Sequence, residues 1–140
     1  MTEESTTPDL VALWKQVDRA TNRGDVDGIL ALYAADAVWD MSPIGMGTFE
    51  GHAAIRGFFE DWFASYEQYE SDVEEILDLG NGVGFRVLTQ KGRPVGSTGE
   101  VELLYAAVSR WEDGKIKRIT NYSNIDEARA AAERLAHERG

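Results

Sequence analysis

From position 10 the apolar residues Leu10, Leu13, Trp14 and Val17 recur at the three- and four-residue steps of a helix that buries one face. Thr7-Pro8-Asp9 supplies a start for it, as N-cap, proline at the first helical position and acid in the first turn, and Asn22-Arg23-Gly24 supplies the stop. The polar residues Met1 to Thr6 are predicted to fray. A second helix follows, capped by Asp25, with Val26, Ile29, Leu30 and Tyr33 on one face. Positions 37–42 alternate as a strand does, and Pro43, Gly45, Gly47 and Gly51 then break the chain into a loop. Helical spacing resumes with Ala54, Ile55, Phe58, Phe59, Trp62 and Phe63, a face so rich in rings that core packing is the default reading of any one of them.

Beyond Tyr69 the period changes to two. Strands are predicted over 69–79, 83–91, 100–111 and 116–122. Asn81-Gly82 and Asp113-Gly114 are two-residue hairpin signals, and 92–99 is a longer connection containing Gly and Pro, so neighbouring strands should pair antiparallel. Ile125, Ala128, Ala132 and Leu135 mark a short closing helix. Helices, then hairpins, then a small helix make an α+β protein whose helices pack on one face of an antiparallel sheet. At 140 residues the chain is expected to form one domain, 1–140.

Charge and composition narrow the partners. With 25 acidic against 14 basic residues and a net charge of −11, the chain should repel phosphate backbones and anionic lipid, so neither nucleic acid nor membrane is expected. No secretory leader and no apolar run long enough to span a bilayer is visible, which points to the cytoplasm. There is no Cys, hence no thiolate metal site or Cys nucleophile, and His52 and His137 lie too far apart in sequence to suggest a two-His metal site or a Ser-His-Asp triad. No metal and no cofactor are expected. Gly80, Gly82 and Gly84 sit between two strands, which reads as a hairpin turn and not as a phosphate loop.

Four stretches carry a family likeness: the run from Gly24 to Tyr33 (GDVDGILALY), Ala35-Asp36-Ala37-Val38, Ser42-Pro43-Ile44-Gly45 and Gly51-His52-Ala53-Ala54-Ile55-Arg56. The chain resembles the ketosteroid isomerase and SnoaL-like branch of the nuclear transport factor 2-like superfamily. The resemblance implies a cone-shaped, curved antiparallel sheet wrapped by the N-terminal helices around an apolar pocket. It also implies a hydrophobic, carbonyl-bearing or polycyclic small molecule as ligand, and a homodimer through the sheet. The apolar residues Leu104, Ala106 and Val108, on the outward side of one strand, fit such a dimer. The family's isomerase residues are absent: its general base falls on Ser42, its oxyanion tyrosine on Val17 and its protonated aspartic acid near Ala107. Steroid isomerisation by that route is not expected.

Strand parity selects the remaining candidates. If Ser42 faces the pocket, so does Asp40; Tyr105 faces it with Ala107, and Asn121 with Ser123. The likeness aligns Arg86 with an inward position, where a buried charge needs a partner, and Asp40 is the natural one. Asp40 and Arg86 are the catalytic candidates, for a cofactor-free cyclase, isomerase or dehydratase in which Asp40 is general acid/base. Ser42, Tyr105, Asn121, Phe58, Trp62 and Trp14 are the candidates for substrate contact. Three alternatives stay open: Asp40 as a mere counter-ion of Arg86, Asp40 as a cap on a nearby backbone amide, and the whole chain as a non-catalytic binding or dimerisation domain of the same fold. His52, at the opening of a helix, is read as a surface cap.

Overall fold

A computed structural model describes residues 9–139, apart from the side chain of Arg139. Met1 to Thr6, and the cap assigned to Thr7 and Pro8, lie outside the described residues. Helix α1 (Leu10–Asn22) is capped by Asp9, whose carboxylate accepts hydrogen bonds from Val11 N and Ala12 N at 3.1 and 3.3 Å. Its face of Leu10, Trp14, Val17 and Ala20 is buried. Asn22, at its end, accepts from Ser71 N (2.9 Å) and donates to Ser71 O (3.3 Å), tying the helix to the middle of a distant strand. Helix α2 (Val26–Leu30) starts at Asp25, which accepts from Gly28 N as its position predicts.

Strand β1 (Tyr33–Asp40) ends in a short 3-10 turn, Ser42–Ile44; β2 (Thr48–Glu50) and α3 (Gly51–Ala64) follow. The long strands β3 (Tyr66–Gly80), β4 (Val83–Pro94), β5 (Val101–Glu112) and β6 (Lys115–Tyr122) come next, and α4 (Ile125–Arg139) closes the described chain. The six strands form one curved, unclosed sheet in the order β2-β1-β6-β5-β4-β3. Both predicted tight turns form: Asn81 and Gly82 have φ of 58° and 77°, and Asp113 and Gly114 have 54° and 77°, the paired positive values that match the twist of a hairpin.

Three expectations are corrected here. The strand predicted over 37–42 begins at Tyr33 and stops at Asp40, and the loop after it contains β2. β1 lies parallel to β6, with Trp39 opposite Ile119, so the sheet is not wholly antiparallel. Local periodicity reports whether a segment is a strand but not which distant strand it meets. Finally, Ala106 and Val108 need no partner chain to cover them. They are buried with Phe85 and Val87 beneath Ala128, Ala132 and Ala136 of α4. The sheet therefore has apolar cover on both faces, which is why β4 is buried without a break from Val83 to Thr89. The larger core fills the concave side, between the sheet and α1 to α3.

Candidate functional site

The concave side is not packed solid. Two adjoining chambers of about 30 and 40 Å³ share Trp39, Phe59, Tyr69, Gln90, Tyr105 and Asn121 as common walls. Empty space on that scale takes a few water molecules, and a larger guest enters only if side chains move. The outer chamber is closed by Phe58 and Trp62 of α3, by Met41, Ile44 and Met46 from the segment after β1, and by Leu103 of β5. Methionine side chains are the ones best suited to re-pack around a guest.

The inner chamber carries the polar chemistry. Arg86 on β4 is 6% exposed, and its Nη1 lies 2.7 Å from Oδ1 of Asp18 on α1. Its guanidinium also sits over the Trp14 ring, 3.6 Å from the centroid. Arg86 and Asp18 meet because Asp18 follows Trp14 by four residues, which puts both on the face of α1 turned toward β4. Two buried donors, Arg86 Nε and Trp14 Nε1, have no hydrogen-bond partner among the described residues. An unmade bond on a buried donor costs about 1–3 kcal/mol, so an acceptor atom reaching Arg86 Nε would relieve a standing penalty, whereas Trp14 Nε1 lies beside Gly84, which lines neither chamber.

Tyr105 and Asn121 stand where the chambers join. Gln90 Nε2 donates to the Tyr105 hydroxyl at 2.7 Å, leaving the phenolic proton for another acceptor. Trp39 Nε1 donates to Asn121 Oδ1 at 3.3 Å, which leaves the Asn121 NH2 as donor. Burial pushes the Tyr105 hydroxyl up to about 12, with nearby Arg86 pulling the other way, and burial raises Tyr33 and Tyr69 as well. All three phenols therefore stay protonated near neutrality.

Of the residues selected from the sequence, Arg86, Tyr105, Asn121 and Trp14 share the inner chamber, while Phe58 and Trp62 line the outer one. Asp40 and Ser42 line neither chamber. Trp39 and Met41 are the inward residues where β1 ends, so Asp40 and Ser42, which alternate with them, take the opposite side together, and the premise that Ser42 faces the pocket fails. Asp40 does not pair with Arg86. Its Oδ1 accepts from Ser42 Oγ (2.6 Å), Ser42 N (2.9 Å) and Thr48 Oγ1 (3.2 Å), and its Oδ2 meets Arg118 Nη2 at 2.9 Å. The Ser42 hydroxyl and amide, then Thr48 and Arg118, hold the Asp40 carboxyl below its usual range. It is the amide cap left open as an alternative, and it pins the segment bearing Met41, Ile44 and Met46.

Sequence reasoning missed Asp18. A charged residue one turn beyond Trp14, on an otherwise apolar helix face, was the available signal. His52 is also more than a surface cap: its Nε2 bonds Tyr33 O at 2.8 Å and ties α3 to β1. Among the described residues no group of three His, Cys, Asp or Glu is placed to hold a metal ion, and no helix is long and apolar enough to cross a membrane.

The same architecture recurs among solved structures. A nuclear transport factor 2-like protein of unknown function from Burkholderia pseudomallei is 21% identical, matching 90% of this chain and 98% of its own with a TM-score of 0.72. A protein of ketosteroid isomerase-like fold from Catenulispora acidiphila, solved with trimethylamine, is 20% identical over 91% of this chain and 94% of its own, with a TM-score of 0.70. TerC, crystallised with polyporic acid, is 18% identical over 89% and 97%, again at 0.70. Among curated proteins no sequence matches. Sheet and helices thus place this chain in the nuclear transport factor 2-like fold class. Within that class, residues 14–119 match the family model of the SnoaL-like domain, and the chain belongs to that family.

Proposed function

We propose that this protein binds a flat, apolar, carbonyl-bearing small molecule with its oxygen among Tyr105, Asn121 and Arg86, and transfers a proton on it without a cofactor. The observation that carries the reading is the buried Asp18–Arg86 pair facing an aromatic cavity alongside donors with protons to spare. Asp18 Oδ2 has no hydrogen bond among the described residues, so it is the carboxylate oxygen free to take a proton from the carbon next to a carbonyl. As that proton leaves, charge builds on the carbonyl oxygen, and Tyr105 and Asn121 are the donors that would stabilise it. The overall change is an enolisation, the shared first step of isomerisation, cyclisation and dehydration.

The test is hydrogen exchange of the bicyclic ketone 2-tetralone in D2O, followed by NMR. Wild type should accelerate exchange at the carbon beside the carbonyl, and Tyr105→Phe should slow that acceleration by about tenfold, the effect of one lost hydrogen bond of about 1.4 kcal/mol. The paired variant D18N/R86M, designed to keep the fold, should reduce exchange to the buffer rate. Binding of 2-naphthol without any acceleration by wild type would leave a binding module and sink the catalytic half. A second reading, binding alone, is favoured by one observation: Arg86 already holds the only carboxylate that lines the inner chamber among the described residues.

A further inference from the structure

The inner face of β5 does not end at the cavity. Ala107 and Tyr105 line the inner chamber, Tyr105 and Leu103 the outer one, and Leu103 and Val101 a third hollow on the surface. These residues are two apart, so they form one row along a single face of the strand. The hollow has a volume of about 120 Å³, more than either interior chamber, and shares Trp62, Tyr69, Gln90 and Leu103 with the outer one. Trp62, Tyr66 and Tyr69 pack against one another there, with ring centroids 5.1–6.1 Å apart. Gly92 makes room for this: a Cβ at that position would lie 2.5 Å from the Tyr66 ring. Val101 and Leu103 remain 48% and 40% exposed, as apolar wall without apolar cover.

We infer that this groove is a binding subsite continuous with the cavity, and that it takes the distal part of an elongated, neutral, flat aromatic molecule whose oxygen-bearing head enters the chambers. The inference rests on the small-molecule reading above and names the ligand's shape and charge. Length follows from the strand. Val101 to Tyr105 spans about 13 Å, so once side chains move to admit a bicyclic head to the chambers, a further ring on it reaches the groove. Charge follows from the rim, where Lys91 lies 3.9 Å from both Asp72 and Glu102. Of these charges Lys91 and Glu102 line the groove and cancel, while Asp72 just beyond it, on a chain of net charge −11, leaves the surroundings negative, which disfavours an acidic tail.

Fluorescent probes sharing one head separate the outcomes: 2-naphthol, 6-phenyl-2-naphthol, and the latter with a carboxylate on its distal ring. Wild type should bind the phenyl-bearing probe about tenfold more tightly than 2-naphthol, and the carboxylate form several-fold less tightly than the neutral one. Val101→Asp should erase the phenyl advantage while 2-naphthol affinity stays unchanged; Val101→Ser gives the same test without adding charge. Equal losses for both neutral probes, no change for either, or preferred binding of the carboxylate form would each overturn the proposal. So would a dimer that Val101→Asp dissolves while leaving the phenyl advantage intact, because the patch would then belong to a second copy of the chain. Failure of wild type to bind even 2-naphthol sinks the cavity reading itself, a result distinct from any of these.

Discussion

Replacing Asp18 by Asn tests how the inner chamber is held together. The change is nearly isosteric, so it removes one charge and little else. Arg86 is left 6% exposed, with a neutral amide in place of its counter-ion. Breaking a buried pair by removing one partner costs about 3–5 kcal/mol, because the surviving charge is desolvated and uncompensated. Two contacts survive: the Trp14 face at 3.6 Å, worth up to about 2 kcal/mol when desolvated, and the Asn oxygen, which still accepts a hydrogen bond. The expected loss is therefore at the low end, about 3 kcal/mol, or about 12 °C in Tm for a chain of this size. The paired variant D18N/R86M removes the stranded cation and fills its stem volume with an apolar side chain, and should recover to within about 1 kcal/mol of wild type. Urea unfolding of wild type, both single variants and the pair closes the cycle. A D18N loss below about 1 kcal/mol, or a double variant no more stable than D18N, would refute the account of Arg86 as a buried cation dependent on Asp18.

Gly84→Ala should lower stability by about 1–3 kcal/mol in a thermal melt, because its Cβ would sit 2.7 Å from Ser109 Oγ and 3.2 Å from Trp14 Nε1, in a region with no slack; an unchanged Tm would show that the strand gives way easily. Asp40→Asn addresses the cap. The folded Asp40 carboxyl lies below its ordinary value of 3.8, so its contribution is fully present above that value and disappears as pH falls through the folded value. As pH falls below 3.8, wild type should lose stability more steeply than Asp40→Asn, and parallel acid limbs in the two proteins would contradict the cap. The same substitution should speed entry of 2-naphthol in stopped-flow fluorescence, since the Asp40 carboxylate holds the segment bearing Met41 and Met46 over the outer chamber.

Most elements of this protein were legible in its sequence because they depend on neighbours within a few residues. Asp25 as a cap and the two hairpin turns are dictated locally, by a short acceptor side chain in one case and by tolerance of positive φ in the other. The same holds for the four long strands and for the apolar face of α1. Family likeness, carried by the Gly24-to-Tyr33 run and by the Pro-x-Gly and Gly-His segments, extended that local reading to the overall fold. Tyr105 and Asn121 were placed on the inner face because strand parity holds for as long as a strand continues, and Arg86 because the family likeness aligned it there.

Asp40 and Asp18 mark where such reasoning ends. Parity from Ser42 to Asp40 holds, but it was anchored on Ser42 facing the pocket, and Trp39 and Met41 face it instead. Asp40 is a carboxylate held by Ser42, Thr48 and Arg118, with no cavity in front of it. Asp18 was passed over because its significance comes from a residue 68 positions away, to which nothing local points. The parallel join of β1 to β6 and the cover of Ala106 and Val108 by α4 are of the same kind. Secondary structure, turn geometry and the polar inventory of each strand face were determined by the sequence alone, since hydrogen bonds and sterics within a few residues decide them. Which carboxylate meets the buried arginine, and how much room remains beside it, was decided only by the tertiary structure, because burial and charge pairing depend on everything packed around a group.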